Sequence, residues 1–247
     1  MTESLIKTCV AALFTLSVAA CSSSSNNAGS PDPAPGDNEN PITQQYEVTL
    51  TNLTGGQVFS EPAMILHPNT DTFWQIGQTA SSELEALAES GETTGISNLA
   101  DSMSYPFVNA DTSIAPGAMQ TLSITTTAAA NDVLTILTRL ESTNDGFTGV
   151  NAISLSDLSE PGQSMSIDRW ALDSGTEKNL ESTNLGSLSD DRPSEPNDVI
   201  GSEFNYVTVH PGVITEIEPI PDNTSQLNRS RKFDNPVIRI RITRVEG

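Results

Sequence analysis

The sequence predicts an all-β protein, an antiparallel β-sandwich of about eight strands with one or two short helices. Tyr46, Val48 and Leu50 alternate with polar residues, as do Ile238, Ile240 and Ile242 near the end of the chain. This two-residue period is typical of strands with one buried face. Turn residues separate many such segments, and helical periodicity is scarce, which favours an antiparallel sandwich.

The N-terminus has the features of a bacterial lipoprotein signal peptide. Lys7 precedes an apolar stretch, 9–20, that is too short to span a bilayer as a helix. Small residues then lead into Cys21, which resembles the lipobox, whose cysteine receives the lipid and becomes the new N-terminus. Residues 1–20 are therefore predicted to be the signal peptide and Cys21 the lipidation site. An ordinary secretory signal with an incidental cysteine is the alternative.

Residues 21–44 are predicted to be a disordered tether between the lipid and the domain. The segment is rich in Ser, Asn and Pro and contains one Ile and no aromatic residue, too little apolar surface to offset the entropy of ordering. Ser22 after the cysteine resembles the class sorted to the outer membrane, which gives an expected location in the cell envelope. The remaining residues, 45–247, have the size of one domain.

Within the domain, strands are predicted at 46–51, 121–127, 133–140, 150–155 and 238–243. The segment 133–140 is apolar on both faces, which suits a central strand, whereas Arg239 and Arg241 on the outer face of the last strand suit a sheet edge. Ser82 and Glu85 have capping-box spacing and Gly91 ends the run, which predicts a helix at 82–90. The polar stretch 181–204 is predicted to be a long surface loop.

The charge and the rare residue types narrow the function. A net charge of −21 excludes nucleic acid as a partner, because phosphates require clustered cations. It suits a soluble exterior or a domain that binds divalent cations. Six of the eleven basic residues lie in 229–244, either as an anion or glycan patch or as charge balance. No nucleophile motif appears, and the only histidines, His67 and His210, are interpreted as packed or loop residues.

Several motifs occur in an order that resembles one known family. Residues 73–77 read Phe-Trp-Gln-Ile-Gly, followed by Ala80-Ser81 and by Leu-Ala-Glu-Ser-Gly at 87–91. Further on come Asp-Gly-Phe-Thr-Gly-Val at 145–150, Asp-Ser-Gly-Thr-Glu at 173–177 and Pro-Val-Ile-Arg-Ile at 236–240. This series, together with His67, is similar to the spondin N-terminal domain of the F-spondin and mindin type, over about residues 46 to 245.

The resemblance implies a C2-like sandwich of eight antiparallel strands with one Ca²⁺ at a loop end. Carried over to this chain, the carboxylate ligands are Asp145, Asp173 and Glu177. Their residue types agree with this, because Ca²⁺ prefers six to eight carboxylate and carbonyl oxygens. The chain departs from the family pattern at Gly146, where the family carries Trp, and at Glu177, where it carries Asp.

The function predicted from these observations is a surface-anchored, non-catalytic, calcium-binding lipoprotein that mediates adhesion or recognition of a protein, glycan or matrix. Its membrane contact would be the lipid at Cys21. The alternatives are a structural envelope lipoprotein without metal and a secreted hydrolase. Trp74 and Trp170 are interpreted as core or loop residues rather than as a platform for sugars.

Overall fold

A computed structural model describes residues 43–127, 133–179, 205–219 and 223–246, which fold into two antiparallel sheets and two helices. The strands are β1 (Gln44–Asn52), β2 (Ala63–His67), β3 (Phe107–Asn109), β4 (Met119–Thr126), β5 (Val133–Arg139), β6 (Gly146–Ser154), β7 (Ser164–Arg169), β8 (Leu172–Asp173), β9 (Thr208–Val209) and β10 (Ile238–Val245). The helices are α1 (Ser82–Ser90) and α2 (Thr94–Met103), and a 3-10 turn covers Arg229–Arg231. The sandwich predicted from the sequence is confirmed.

The smaller sheet has the strand order β4-β1-β10-β7. Its inner face carries the alternating apolar residues of β1 and β10, with Val48 opposite Ile242 and Leu50 opposite Ile240. All four side chains are fully buried, and each contributes about 1.5–3 kcal/mol through removal of apolar surface from water. This face forms one side of the main core.

The larger sheet has the order β3-β2-β5-β6-β8-β9 and is covered on both faces. Leu134 and Ile136 of β5 face the smaller sheet, whereas Leu137 packs with Leu84 and Leu87 of α1 in a second core. Because helices cover the outer face, β5 is buried at every position. This confirms the prediction of a central strand from a segment that is apolar on both faces.

The helix predicted at 82–90 has these bounds in the structure, but its N-cap is Ser81 rather than Ser82. The Ser81 hydroxyl accepts a hydrogen bond from the backbone N–H of Leu84 at 3.3 Å. Gly91 ends the helix in the left-handed conformation and returns two hydrogen bonds to its last turn, as is common at helix C-termini.

One expectation from the sequence is wrong. The last strand, β10, is not an edge, since it pairs with β1 on one side and β7 on the other, so Arg239 and Arg241 lie on the exposed face of an internal strand. Trp170 lies in the connection between β7 and β8 and is 56 % exposed, so of its two predicted settings, core or loop, it has the loop. Trp74 fits its interpretation as a packed loop residue, since its ring meets that of Phe147 edge to face at 5.4 Å.

The predicted signal peptide, Cys21, the tether and the loop at 181–204 lie outside the described residues. In the part of the chain that the structure describes, no helix has the length and apolar character needed to cross a bilayer.

A β-bulge in β6 holds the loop that contains Trp74. Between the pairs Leu134–Ile153 and Ile136–Val150, two residues of β6 oppose Thr135 alone. The Thr135 hydroxyl accepts from the N–H of Ala152 at 2.9 Å, and Ala152 has a positive φ of 51°. The neighbouring side chain, Asn151, accepts from the N–H of Phe73 at 3.1 Å and donates to the carbonyl of Trp74.

His67 completes this polar cluster from the adjacent strand. The ring is fully buried, and its Nδ1 lies 2.9 Å from the carbonyl of Pro68, which can only accept, so Nδ1 carries the proton. Its Nε2 lies 2.8 Å from the Thr135 hydroxyl. The imidazole therefore serves to join β2 to the bulge.

We expect Gly149→Ala to lower the free energy of unfolding by about 3–4 kcal/mol. Gly149 pairs with Leu137 at a φ of 149°, and a Cβ there would lie 1.8 Å from the carbonyl oxygen of Ile136. The strands would have to separate, because the clash is with backbone. Urea unfolding measures the change.

Gly117→Ala is the matched control, because Gly117 also has a positive φ, 73°, but open space around its Cα. Gly117→Ala should lower the free energy of unfolding by only about 1–2 kcal/mol, which is the cost of the left-handed backbone conformation for alanine. Equal losses for the two variants would show that the contact with Ile136 is not the cause.

Candidate metal site

The antiparallel register brings two of the predicted metal ligands together at one end of the larger sheet. Asp145 directly precedes β6 and Asp173 ends β8, and Gly146 pairs with Asp173 across the two strands. The backbone N–H of Ser174 also donates to the carbonyl of Asp145 at 3.2 Å. Both acids are buried, with Asp145 completely inaccessible and Asp173 6 % exposed.

The turn after β8 surrounds one carboxylate oxygen of Asp145. Its Oδ2 accepts from the backbone N–H groups of Thr176 at 2.7 Å and Glu177 at 3.1 Å, and from the Ser174 hydroxyl at 3.0 Å. Successive N–H groups that converge in this way form an anion-binding concavity. The turn therefore stabilises Asp145 as a charged carboxylate and fixes its orientation.

Asp173 is held by its own turn. Its Oδ1 accepts from the N–H of Gly175 at 2.8 Å, and its Oδ2 accepts from the Asn179 amide at 2.9 Å. Gly175 has a φ of 72°, a left-handed conformation that glycine adopts without a steric penalty. The Asp-x-Gly sequence thus aims the Asp173 carboxylate back toward the strand end.

The electrostatics of the pair favour a bound cation. Burial raises the pKa of Asp145 to about 6, and the charge of Asp173 acts in the same direction. Burial also raises the pKa of Asp173. The second carboxylate oxygen of Asp145, Oδ1, is buried and has no hydrogen-bond partner among the described residues. An unpaired buried carboxylate oxygen is costly, and a cation placed against it removes that cost.

His210 lies beside these acids but is not their counter-charge. Its Nδ1 accepts from the N–H of Gly212 at 3.0 Å, which places the proton of the neutral ring on Nε2. Burial lowers the pKa of His210 to about 4, against the opposing effect of Asp145. The ring packs edge to face with Phe233 at 5.5 Å, so His210 is a packed histidine, as its sequence context predicted.

Arg139 is the cation that sequence reasoning missed. It ends the apolar strand β5, is only 4 % exposed, and donates to the carbonyls of Ala88 and Thr143, both at 2.9 Å. Burial lowers its pKa, and four acids oppose that effect: Glu141, Glu177, Asp145 and Glu89. One buried guanidinium therefore faces several carboxylates, and a lone arginine after an apolar run was the only signal in the sequence.

Glu177 enters the site through its backbone, whose N–H binds Asp145, while its nearly buried side chain acts electrostatically on Arg139. Within 43–127, 133–179, 205–219 and 223–246, no three His, Cys, Asp or Glu side chains are grouped so that they could hold a metal. Ca²⁺ also accepts carbonyl oxygens and water, so the pair of Asp145 and Asp173 suits it chemically. The full ligand set with Glu177 stays a prediction.

The glycine at position 146 fits its surroundings in this chain. A Cβ there would lie 2.5 Å from the Thr143 hydroxyl oxygen and 3.0 Å from Cδ2 of His210. That hydroxyl accepts from the N–H of Gly146 at 2.9 Å and donates to the carbonyl of Leu140 at 2.6 Å. Thr143 and His210 thus occupy the space in front of Gly146, and a larger residue would displace them.

We expect Arg139→Met to lower the free energy of unfolding by about 3–5 kcal/mol at neutral pH, because it leaves the surrounding acids buried without their cation. The loss should shrink toward acidic pH, since Asp145, whose pKa burial raises to about 6, then binds a proton in the folded state. Urea unfolding at several pH values measures this. Arg241→Met, on the exposed face of β10, should change stability by no more than about 0.5 kcal/mol.

The comparisons with known proteins agree with this architecture. The Spondin_N family model matches residues 45–208, which includes Asp145, Asp173 and Glu177. No curated protein shows a significant match to the chain. Since the family model covers well over half of the chain, the protein belongs to the spondin N-terminal domain family.

Proposed function

We propose that the protein is a surface-anchored, non-catalytic lipoprotein whose spondin domain binds calcium and recognises another surface, either a protein, a glycan or a matrix. The observation that carries the calcium proposal is the buried, unpartnered Oδ1 of Asp145 next to the buried Asp173 carboxylate. Arg139, on which the charge of Asp145 acts, donates through Nε to the carbonyl of Ala88 and through Nη2 to that of Thr143.

In this proposal Asp145 and Asp173 hold the cation, with Glu177 as the third carboxylate. Calcium would supply two positive charges that offset the desolvation of the acids. Its contribution would be structural, since it would fasten the turn at 173–177 to the start of β6. The hydrogen bonds on Asp145 Oδ2 and on Asp173 then act as the outer contacts that orient the ligands.

The state of the two histidines supports a non-catalytic function. His67 is fully buried with its Nδ1 proton engaged by Pro68, and His210 is 2 % exposed. A general base must reach the proton that it removes from a substrate. Neither imidazole is accessible for that task.

The anchoring part of the proposal rests on the sequence around Cys21 and on the composition of 21–44. A flexible linker of that length would hold the domain away from the bilayer. The acidic chain would also be repelled by anionic lipid headgroups. Recognition of partners would therefore occur on the side that faces away from the membrane.

We expect calcium to raise the melting temperature relative to EDTA, by the equivalent of about 2.7 kcal/mol at a concentration one hundred times the dissociation constant. Asp145→Asn should abolish the difference, because it removes the charge at Oδ1. Asp111→Asn, an exposed loop acid, is the matched control and should respond as the wild type does. An unchanged melting temperature in calcium and EDTA would disprove the metal site.

The calcium effect should be smaller at about pH 5 than at about pH 7.5. The folded-state pKa of Asp145, about 6, lies above its ordinary value of 3.8. Charge burial therefore destabilises the metal-free fold above about pH 6, and this cost decreases as the pH falls toward 3.8. Calcium must also displace a proton at the lower pH. Melting curves in calcium and in EDTA at both pH values measure this change in the calcium-dependent shift. A melting-temperature shift of the same size at both pH values would contradict the expectation.

Cys21→Ser should move the protein from the membrane fraction to the soluble fraction of the expressing cells, because no thiol remains to receive lipid. Fractionation with metabolic fatty-acid labelling measures both properties. Cys9→Ser, inside the predicted signal peptide, is the control and should leave labelling intact. Labelling of the Cys21→Ser variant would rule out the predicted lipidation site.

A further inference from the structure

An open groove separates the loop at 73–77 from the connection between β7 and β8. Its volume is about 280 Å³, and its walls include Trp74, Ile76, Trp170 and Val209, with Asp168 and Arg169 at the rim. Pockets for drug-sized ligands start near this volume. The groove therefore has room for one or two rings rather than for a helix.

The apolar walls are exposed to an unusual degree. Trp170 is 56 % exposed, Ile76 54 % and Val209 39 %, and these are three of the seven large hydrophobic side chains that are exposed among the described residues. Single exposed apolar residues are ordinary, but a cluster with a polar rim marks a binding surface.

Contacts behind the groove hold the ring of Trp74 and the backbone of Trp170. Trp74 packs edge to face on the buried Phe147, and its carbonyl accepts from the Asn151 amide at the bulge. The carbonyl of Trp170 accepts from the Thr148 hydroxyl at 2.8 Å. A ligand would therefore meet a groove whose Trp74 wall and backbone are already in place, which lowers the entropic cost of binding.

The rim is locally basic in a strongly acidic chain. Arg239 binds Asp168 through two hydrogen bonds of 2.8 and 2.9 Å, and this ion pair neutralises the acid. Arg169 donates only to the carbonyl of Asp168, at 3.1 Å, and has no acidic partner among the described residues. Its guanidinium is left as an uncompensated positive charge beside the apolar walls.

We propose that this groove binds an acidic saccharide, with a pyranose ring stacked on Trp170 and the carboxylate of the sugar on Arg169. A pyranose has an apolar face and a polar edge, which match an indole wall beside a rim of donors and acceptors. A guanidinium binds a carboxylate through paired charge-assisted hydrogen bonds. This inference rests on the recognition part of the proposed function and is independent of calcium.

The test is titration with uronate tetrasaccharides from polygalacturonate, alginate and hyaluronan, and with a neutral galactose tetrasaccharide. The chain has two tryptophans, and both line the groove, so indole fluorescence reports binding directly and calorimetry gives the affinity. We expect at least one uronate to bind, with a loss of about tenfold or more in Trp170→Ala. Arg169→Gln should lower affinity for the uronate by about tenfold and leave weak binding of the neutral sugar unchanged.

Met119→Ala is the matched control, because Met119 is the most exposed large hydrophobic residue at 69 % and lies on β4 of the other sheet. It should bind as the wild type does. The variants should also keep the calcium-dependent melting shift, so a protein that fails the calcium test but binds uronate in the groove would disprove only the metal site.

Several results would overturn the inference. These are the absence of binding by all three uronates, equal affinity for the neutral sugar, and binding that survives in Trp170→Ala. Binding of an aromatic-rich peptide in the groove, when none of the sugars binds there, would instead identify a protein partner.

Discussion

The contact on which this end of the domain depends is the Asp145 carboxylate held by the N–H groups of the turn at 174–177. Asp145 directly precedes β6 and the turn follows β8, so this one side chain fastens two neighbouring strands at the point where they leave the sheet. A buried charge is costly by itself, and the hydrogen bonds repay only part of that cost. They bind Oδ2 and leave Oδ1 to a further positive group.

Arg139 and the acids around it extend this cluster of incompletely compensated buried charges into the interior. The guanidinium is buried between the helical layer and the strand ends, where it donates to Ala88 and Thr143. Removal of one partner from a buried ionic cluster leaves the others uncompensated, so such clusters tolerate few changes. A divalent cation at Asp145 and Asp173 would relieve the excess of negative charge without a rearrangement of Arg139.

The sequence predicted those elements whose residues carry a strong local pattern. Alternation identified β1 and β10, a largely apolar run identified β5, and capping with helical spacing identified α1 to its bounds. Apart from β7, where Met165 and Ile167 alternate with polar residues, the elements that it missed lack such signals. β2 is buried at all five positions, α2 has no side-chain cap bond, and β8 and β9 are two-residue strands that exist only through tertiary pairing.

The residues of the candidate site also fall into those that the sequence predicted and those that it missed. Asp145 and Asp173 were found through family motifs, because no local pattern encodes a contact between residues so far apart in sequence; the pairing of Gly146 with Asp173 creates it. Arg139 was missed because β5 carries no charged residue before its last position. The internal position of β10 was missed because exposed arginines occur on the outer face of any strand, and only the pairing decides whether that strand is an edge.

The position of β1 determines how the domain would carry mechanical load. β1 is the first described strand after the predicted tether, and it is bonded to β10 through eight residue pairs and to β4 through eight more. A pull that arrives from the membrane while the groove holds a ligand would enter along a strand clamped on both sides. The backbone hydrogen bonds of β1 with β10 and with β4 would then share the force in shear. The removal of β1 from the sheet would therefore require more force than the removal of an edge strand, whose residue pairs can separate one at a time.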